Sequence, residues 1–255
     1  MPTLLVPPHS QSRDIPVDLS EVSSALAAAG LDLEVRRAVD AAAFEHAVEH
    51  AEVALAWASP TLCARVEPTS RGMLTTVRQG NDGYRSALVG LAGAHLQASR
   101  LHGLRVAWSH PNSTAGHLLP AALLKMMGCQ PGRDVQVHFA GSYRAALLDV
   151  LEGRADVAAV YTPRAEPHAV QAQLESLVGP DAARRLEPLA FTDEVPGDAL
   201  AFTAQASAEQ ARAWTERLMQ LPVGHPLLRL LGAERLVRAR DGAYRSLRAL
   251  VRGAP

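Results

Sequence analysis

The stretch LRVAWSHPNSTAGHLLPAALLKMMG, from Leu104 to Gly128, decides the fold of this chain. Its first part, Leu104 to Ser109, is a short apolar run that predicts a buried parallel strand. The apolar pattern breaks at His110-Pro111-Asn112, which is a turn signal. A helical pattern then begins, in which Leu119, Leu123 and Met126 share one face and Gly128 follows as a typical helix stop. The stretch therefore predicts a strand, a tight turn and a helix.

The turn between this strand and this helix has the chemistry of an anion site. Ser113 and Thr114 stand where a helix N-cap is expected. The first N–H groups of a helix lack intrahelical acceptors, and the helix dipole is positive at that end. Helix N-termini therefore bind anions readily. Capping alone explains the same two residues, so this stretch by itself leaves both interpretations open.

A second turn of the same kind follows in the chain. Asp134–Phe139 predicts a strand, Gly141-Ser142-Tyr143 a turn, and Arg144–Glu152 a helix that Gly153 ends. A further apolar strand is predicted over Asp156–Val160. The carboxyl ends of parallel strands share one edge of a sheet, so both helix N-termini are expected at the same edge.

The rest of the chain predicts alternating strands and helices. Strands are expected at Thr3–Val6, Leu31–Arg36, Val53–Trp57, Met73–Arg78 and Leu186–Phe191, and helices at Leu19–Ala29, Ala41–His50, Ala169–Val178, Ser207–Gln220, Pro226–Leu231 and Asp241–Val251. A βαβαβ order at the N-terminus indicates a parallel α/β lobe with right-handed crossovers. Ser59 and Thr61 directly follow one of these strands, where open α/β sheets place their ligands.

Three segments resemble the substrate-binding proteins of phosphonate and phosphate ABC transporters. They are YRSALVGL (84–91), LHGLRVAWSHPNSTAGHLLPAALLKMMG (101–128) and VHFAGSYRAALLDVLEGRADVAAV (137–160). The resemblance implies an α/β fold of the type II periplasmic-binding-protein class, with two doubly wound sheets joined by a two-stranded hinge. Residues 1–86 and 198–255 would form the first lobe and residues 87–197 the second. A small phosphate, phosphite or phosphonate would bind in the cleft between the lobes.

The resemblance also implies the ligand-binding residues. Ser113 and Thr114 match the family's anion-binding pair. Ala115 stands where the family has a second serine, so one hydroxyl donor is missing, but the backbone N–H groups of Ala115, Gly116 and His117 can still donate. The other implied residues are Ser142, Tyr143, Tyr84, Asp156, Ser59 and Thr61. Tyr143 replaces a family histidine, and Arg144 replaces an acidic residue and could clamp an oxyanion. Asp156 resembles a family acid, for which a structural role at the start of its strand is the preferred interpretation and ligand binding the alternative.

Composition excludes several other classes of function. The formal net charge of −1 gives no general attraction to nucleic acid or to anionic membranes, and no apolar run is long enough to span a bilayer. Cys63 and Cys129 form neither a metal motif nor a disulfide framework, so a reduced pair is expected. His46 and His50 have a spacing that can bind zinc, but their helix buries its other face, which favours a solvated pair. No metal and no cofactor are expected.

Three points concern the biological setting. The N-terminus shows no secretory signal, so a cytoplasmic protein is expected, or a periplasmic one if a leader has been removed. The closed, ligand-bound state could report to a protein partner. Two alternatives to ligand binding remain: a cytosolic enzyme on the same fold, such as a chorismate-dehydrating enzyme, and an interaction protein whose cleft is filled by Tyr143 or Trp108.

Overall fold

The computed structural model describes residues 1–8, 17–96 and 101–252. Within these ranges the chain divides into two compact units, each with its own sheet. Unit 1 contains residues 1–83 and 195–251, and unit 2 contains residues 84–194. The predicted mixed α/β class with two sheets is confirmed. No helix in the described ranges is both long enough and apolar enough to cross a membrane.

The elements follow in chain order. The first part of unit 1 contains β1 (Thr3–Val6), α1 (Leu19–Ala28), β2 (Glu34–Arg37), α2 (Ala41–Glu49), β3 (Leu55–Ala58), α3 (Pro60–Val66), a 3-10 turn (Glu67–Thr69) and β4 (Gly72–Val77). Next come β5 (Gly83–Leu91), β6 (Arg105–Trp108), a π-helical turn (Thr114–Leu118), α4 (Leu119–Met126), β7 (Gln136–Phe139), α5 (Tyr143–Leu151), β8 (Val157–Thr162), α6 (Pro167–Val178), α7 (Pro180–Ala183) and β9 (Leu186–Phe191). The chain ends with β10 (Val195–Pro196), β11 (Ala199–Phe202), α8 (Ala208–Met219), α9 (Pro226–Leu231), β12 (Arg235–Arg238) and α10 (Arg245–Arg252).

The sheet of unit 1 has the strand order β12-β4-β11-β3-β1-β2. Its β1, β2 and β3 are parallel, as the N-terminal βαβαβ order predicts, whereas β11 and β12 run antiparallel to their neighbours. The prediction missed β12, because an edge strand of four residues with an arginine at each end lacks the apolar pattern of a buried strand. It also missed α3, a short helix capped by Ser59 with Pro60 at its first position.

In unit 2 the strands β8, β6 and β7 are parallel neighbours, and β5 runs antiparallel between β8 and β9. Buried side chains cover both faces of β6 and β8. Ala107, Ala158 and Val160 pack with α5 on one face. Val106, Trp108 and Ala159 pack with α4 on the other. The two helices thus lie on opposite faces of the sheet, yet both begin at the carboxyl edge of the parallel strands.

Two helix starts differ from their predictions for local reasons. The helix after β6 begins with a π-helical turn, in which the N–H of Leu118 donates to the carbonyl of Ser113. The last helix begins at Arg245 rather than at Asp241, because Gly242 has a φ of 72°, in the left-handed region, and cannot continue a right-handed helix. Only the first of these differences concerns the candidate site.

Candidate functional site

The turn after β6 and the turn after β7 meet in unit 2. Ser113 is extended and caps the helical segment, since its Oγ accepts from the N–H of Gly116 at 3.0 Å. The same Oγ lies 3.3 Å from the phenol oxygen of Tyr143, the first residue of α5. This contact brings together two of the predicted site residues that lie thirty positions apart in the chain.

Gly116 and Ser109 pack against each other beneath this turn. A Cβ atom on Gly116 would stand 1.8 Å from the Oγ of Ser109 and 2.8 Å from the Oγ of Ser113, so only glycine fits there. Ser109 is 3% exposed, and its Oγ has no hydrogen-bond partner among the described residues. A buried hydroxyl without a partner is costly. The Ser109 hydroxyl is thus a buried donor without a partner, and both it and the hydroxyl of Ser113 lie close to Gly116.

Ser86 fixes the same turn from the neighbouring strands. It is fully buried on β5, and its Oγ donates to the carbonyl of Ala115 at 2.6 Å. Its partner across the antiparallel pair is Tyr161 of β8. The ring of Tyr161 lies 5.3 Å, between centroids, from that of Tyr84, which is two residues from Ser86 on the same strand face. Tyr84, Ser86 and Tyr161 thus form one wall beside the turn.

The sequence interpretation did not include Ser86, Ser109 or Tyr161. Ser86 and Tyr161 lie inside apolar strands, where a polar side chain gives a weak signal. Ser109 directly follows β6, and its close contact with Gly116 arises from the π-helical turn. The position of Ser109 directly after a buried strand was the one available signal.

Tyr143 is half-buried, and burial raises its pKa, while the hydrogen bond with Ser113 opposes that shift. The phenol is therefore a neutral hydroxyl near pH 7, able to donate to an anion. Ser142 precedes it and caps α5, since its Oγ accepts from the N–H of Ala145 at 3.1 Å. This contact shows that Ser142 is a helix cap, and its role in ligand binding stays a prediction.

Two charged residues lie away from this group. Arg144 was a candidate oxyanion clamp, but its Nε donates to the carbonyl of Leu177 near the end of α6, which gives it a role in helix packing. Asp156 was a candidate ligand residue, but it precedes β8 at the opposite edge of the sheet from Ser113 and pairs there with Arg105. Its carboxylate accepts from the backbone N–H, Nε and Nη2 of Arg105. These contacts support the structural role of Asp156 at the start of its strand, and its contact with a ligand stays a prediction.

Ser59 and Thr61 belong to unit 1. Ser59 caps α3 by accepting from the N–H of Leu62 at 3.3 Å, and its Oγ lies 3.0 Å from that of Thr61. Both hydroxyls follow the carboxyl end of β3, as the sequence predicts. Their contact with a ligand stays a prediction.

The described residues contain no group of three or more histidine, cysteine or acidic side chains that could bind a metal ion. His46 and His50 stack on each other at 4.0 Å between ring centroids, and the Nε2 of His46 lies 3.4 Å from Glu52. Cys63 and Cys129 are both free and buried. Burial raises the pKa of both thiols, so they remain protonated.

The group in unit 2 thus offers hydroxyls, amides and a helix terminus. The hydroxyls are those of Ser109, Ser113 and Tyr143. The amides are those at the start of the π-helical turn, which is continuous with α4 and carries the positive end of its dipole. Every one of these groups can donate a hydrogen bond, and no carboxylate is among them. Such an arrangement is suited to a small oxyanion.

Comparison with known proteins agrees with this chemistry. Residues 6–244 match the family described as "ABC transporter, phosphonate, periplasmic substrate-binding protein". Several solved structures share the fold at 17–20% sequence identity. XAC2383 from Xanthomonas citri, bound to chloride, has a TM-score of 0.75 and 20% identity, with 98% of this chain and 97% of that chain covered. A structure of XAC2383 bound to ATP also has a TM-score of 0.75, at 19% identity and with 99% and 98% covered.

Two further structures are of proteins described by a transport role or a bound ligand. A binding-protein component of an ABC phosphonate transporter, PA3383 from Pseudomonas aeruginosa, has a TM-score of 0.66 and 19% identity, with 98% of this chain and 85% of that chain covered. PhnD1 from Prochlorococcus marinus, in complex with methylphosphonate, has a TM-score of 0.68 and 17% identity, with 98% and 97% covered. At these identities the likeness establishes a shared two-lobed α/β fold and nothing finer.

Proposed function

The chain belongs to the family of periplasmic substrate-binding proteins of phosphonate ABC transporters, and from that membership we propose that it binds a small oxyanion of the phosphate, phosphite or phosphonate class through the turn at Ser113–Gly116. The observation that carries this proposal is the contact between Ser113 and Tyr143 at 3.3 Å. Because of it, the donors of two strand–helix turns converge on one point of unit 2.

The energies support a site built from several groups. Micromolar affinity requires about 8 kcal/mol. A helix terminus supplies about 0.3–1 kcal/mol when exposed and up to about 2 kcal/mol when partly buried. A hydrogen bond to a charged group supplies about 1.5–3 kcal/mol. The hydroxyls of Ser109, Ser113 and Tyr143, together with the free amides of the turn, are enough to reach this range, whereas helix capping alone is not.

The family consists of transporter components and not of enzymes, so the chorismate-dehydrating alternative is set aside. Trp108 is 1% exposed and packs in the core of unit 2, and the alternative of an interaction protein whose cleft is filled by Tyr143 or Trp108 stays a prediction. The methylphosphonate complex of PhnD1 favours a phosphonate among the candidate anions. Closure of the lobes on the ligand, a protein partner and a cytoplasmic location stay predictions.

The experiment is a titration of the protein with methylphosphonate, phosphite and inorganic phosphate, followed by calorimetry and thermal unfolding. At about 100 times Kd a ligand adds about 2.7 kcal/mol to the free energy of unfolding. At least one of the three anions is expected to raise Tm. If none of them does so at millimolar concentration, the proposed ligand class is wrong.

Two variants test the site itself. Ser113→Ala and Tyr143→Phe each remove one donor and are expected to weaken binding roughly tenfold or more. Ser113→Ala also removes a helix cap, so Ser207→Ala is the matched control. Ser207 caps α8 of unit 1 in the same way, and its loss lowers stability without touching the site. Equal affinity in Ser113→Ala and Ser207→Ala would contradict the assignment.

A further inference from the structure

A cavity of about 590 Å³ lies entirely within unit 1, whereas the group at Ser113 belongs to unit 2. It is formed by the start of β4, one face of α8, the end of β12 and the first turns of α10. Six arginines line it: Arg71, Arg212, Arg238, Arg240, Arg245 and Arg248. This cavity is called the basic pocket below. It has no counterpart among the residues that the sequence interpretation selected.

Most of the positive charge in the basic pocket is unpaired. Of its two carboxylates, that of Glu67 is committed, since it accepts from the N–H of Tyr244 at 3.1 Å and lies 3.5 Å from Nη2 of Arg248. The other, Asp241, is exposed. Six arginines against two carboxylates leave an excess of four positive charges.

The remaining five arginines make no side-chain hydrogen bond and no ion pair with any residue in the described ranges. These are Arg71, Arg212, Arg238, Arg240 and Arg245, all of them exposed. Like charges gathered round one cavity repel each other, and a bound anion relieves that repulsion. The planar guanidinium group binds phosphate oxygens through two parallel hydrogen bonds.

Backbone contacts fix the positions of these arginines. The N–H of Ala239 donates to the carbonyl of Met73 at 3.0 Å, which joins the end of β12 to β4. The N–H of Arg71 donates to the carbonyl of Phe202 at 2.7 Å. Gly242, with a φ of 72°, turns the chain between Arg240 and Arg245 so that both line the cavity. Four of the six arginines lie close together in the sequence, at positions 238–248, and the fold brings Arg71 and Arg212 beside them.

From this geometry we infer that the basic pocket is a second binding site, for a small polyanion that carries two or more linked phosphoryl groups. Its volume lies within the roughly 300–1,000 Å³ typical of small-molecule sites. No aromatic side chain lines it, whereas protein-binding surfaces rely on aromatic anchors. The formal net charge of −1 on the whole chain disfavours nucleic acid. A linked phosphate chain matches both the size and the charge excess.

The test uses inorganic tripolyphosphate as the probe and the full chain as the protein. Calorimetry is expected to show binding that weakens as salt is raised, because the contacts are between exposed charges. The double variant Arg212→Gln/Arg240→Gln is expected to lose affinity by about a hundredfold, at roughly tenfold for each charged hydrogen-bond partner.

The matched control is Arg235→Gln, which removes the same charge from β12 but does not line the basic pocket. It is expected to bind tripolyphosphate like the unchanged protein. Ser113→Ala is expected to do so as well, which separates this site from the proposed phosphonate site. Circular dichroism and Tm show that each variant is folded. Affinity that is unchanged in the double variant, or that is lost equally in Arg235→Gln or in Ser113→Ala, would overturn the inference, as would no binding of tripolyphosphate at low salt.

Discussion

The Oγ of Ser109 lies 1.8 Å from the point where a Cβ atom on Gly116 would stand. Ser109 directly follows β6, and Gly116 lies in the middle of the π-helical turn after it. The N–H of Ser109 also donates to the carbonyl of Gly116 at 3.2 Å. The end of the strand and the start of the helix are therefore in direct contact. Gly116, which has no side chain, leaves the space that the hydroxyl of Ser109 occupies.

Replacing Gly116 by alanine is expected to destabilise the protein. The added methyl would overlap the side chains of Ser109 and Ser113, and overpacking of this kind costs about 1–3 kcal/mol. Denaturant unfolding of Gly116→Ala measures the loss. The second variant, Ser109→Gly/Gly116→Ala, removes the closest overlap and should recover part of it. Native stability in Gly116→Ala alone would show that the turn is less tightly packed than the structure has it.

Replacing Ser109 by alanine is expected to separate stability from binding. Its Oγ is buried without a partner, so removing it should leave the unfolding free energy of the ligand-free protein unchanged or raise it by up to about 1 kcal/mol. The affinity for methylphosphonate should fall about tenfold if the hydroxyl donates to the ligand. Thermal unfolding and calorimetry measure the two effects. A clear loss of stability without ligand would mean that the hydroxyl has a structural partner.

Replacing Ser86 by alanine is expected to destabilise the turn after β6, because Ser86 donates a hydrogen bond to that turn from the neighbouring strand β5. The carbonyl of Ala115 would lose its donor, and Ala115 is only 4% exposed. An unsatisfied buried acceptor costs about 1–3 kcal/mol. Ser86→Thr retains a hydroxyl and is the control for the loss of that group, with its extra methyl as the remaining difference. If Ser86→Ala and Ser86→Thr were equally stable, the hydrogen bond to Ala115 would not contribute to the free energy of unfolding.

Asp156 is expected to make stability depend on pH in the acid range. The hydrogen bonds from Arg105 lower the pKa of this carboxyl below its ordinary value of 3.8, although its partial burial opposes the shift. Because the folded-state pKa is the lower one, the stabilisation is fully present above the unfolded-state pKa and is lost as the pH falls through the folded-state pKa.

Asp156→Asn should therefore lower the unfolding free energy at pH 7 by about 1 kcal/mol, a value limited by solvent screening at the partly exposed Arg105. It should also flatten the decrease in stability below about pH 4. Urea unfolding over a pH series measures both effects. Because Asp156 lies at the far edge of the sheet, methylphosphonate affinity should be unchanged in this variant; a loss of affinity would support Asp156 as a ligand residue.

Local patterns in the sequence were enough to predict most of the fold. The bounds of β1, β9 and α9 agree with the predictions, because each has a clear apolar pattern, and a proline or a glycine flanks β1 and α9. The place of Ser113 at the start of a helix followed from the same signals. The resemblance of residues 84–160 to transporter binding proteins then indicated the family.

Only the tertiary structure decided which side chains meet. Ser86, Ser109 and Tyr161 join the site through strand register and a π-helical turn, neither of which has a local signature. Asp156 lies away from Ser113 because its strand begins at the other edge of the sheet. In the basic pocket, Arg71 and Arg212 lie far in sequence from the four arginines at positions 238–248, and the pairing of β12 with β4 brings the start of β4 beside those four. Short-range spacing determines helices and strands, whereas contacts between distant residues depend on how those elements pack.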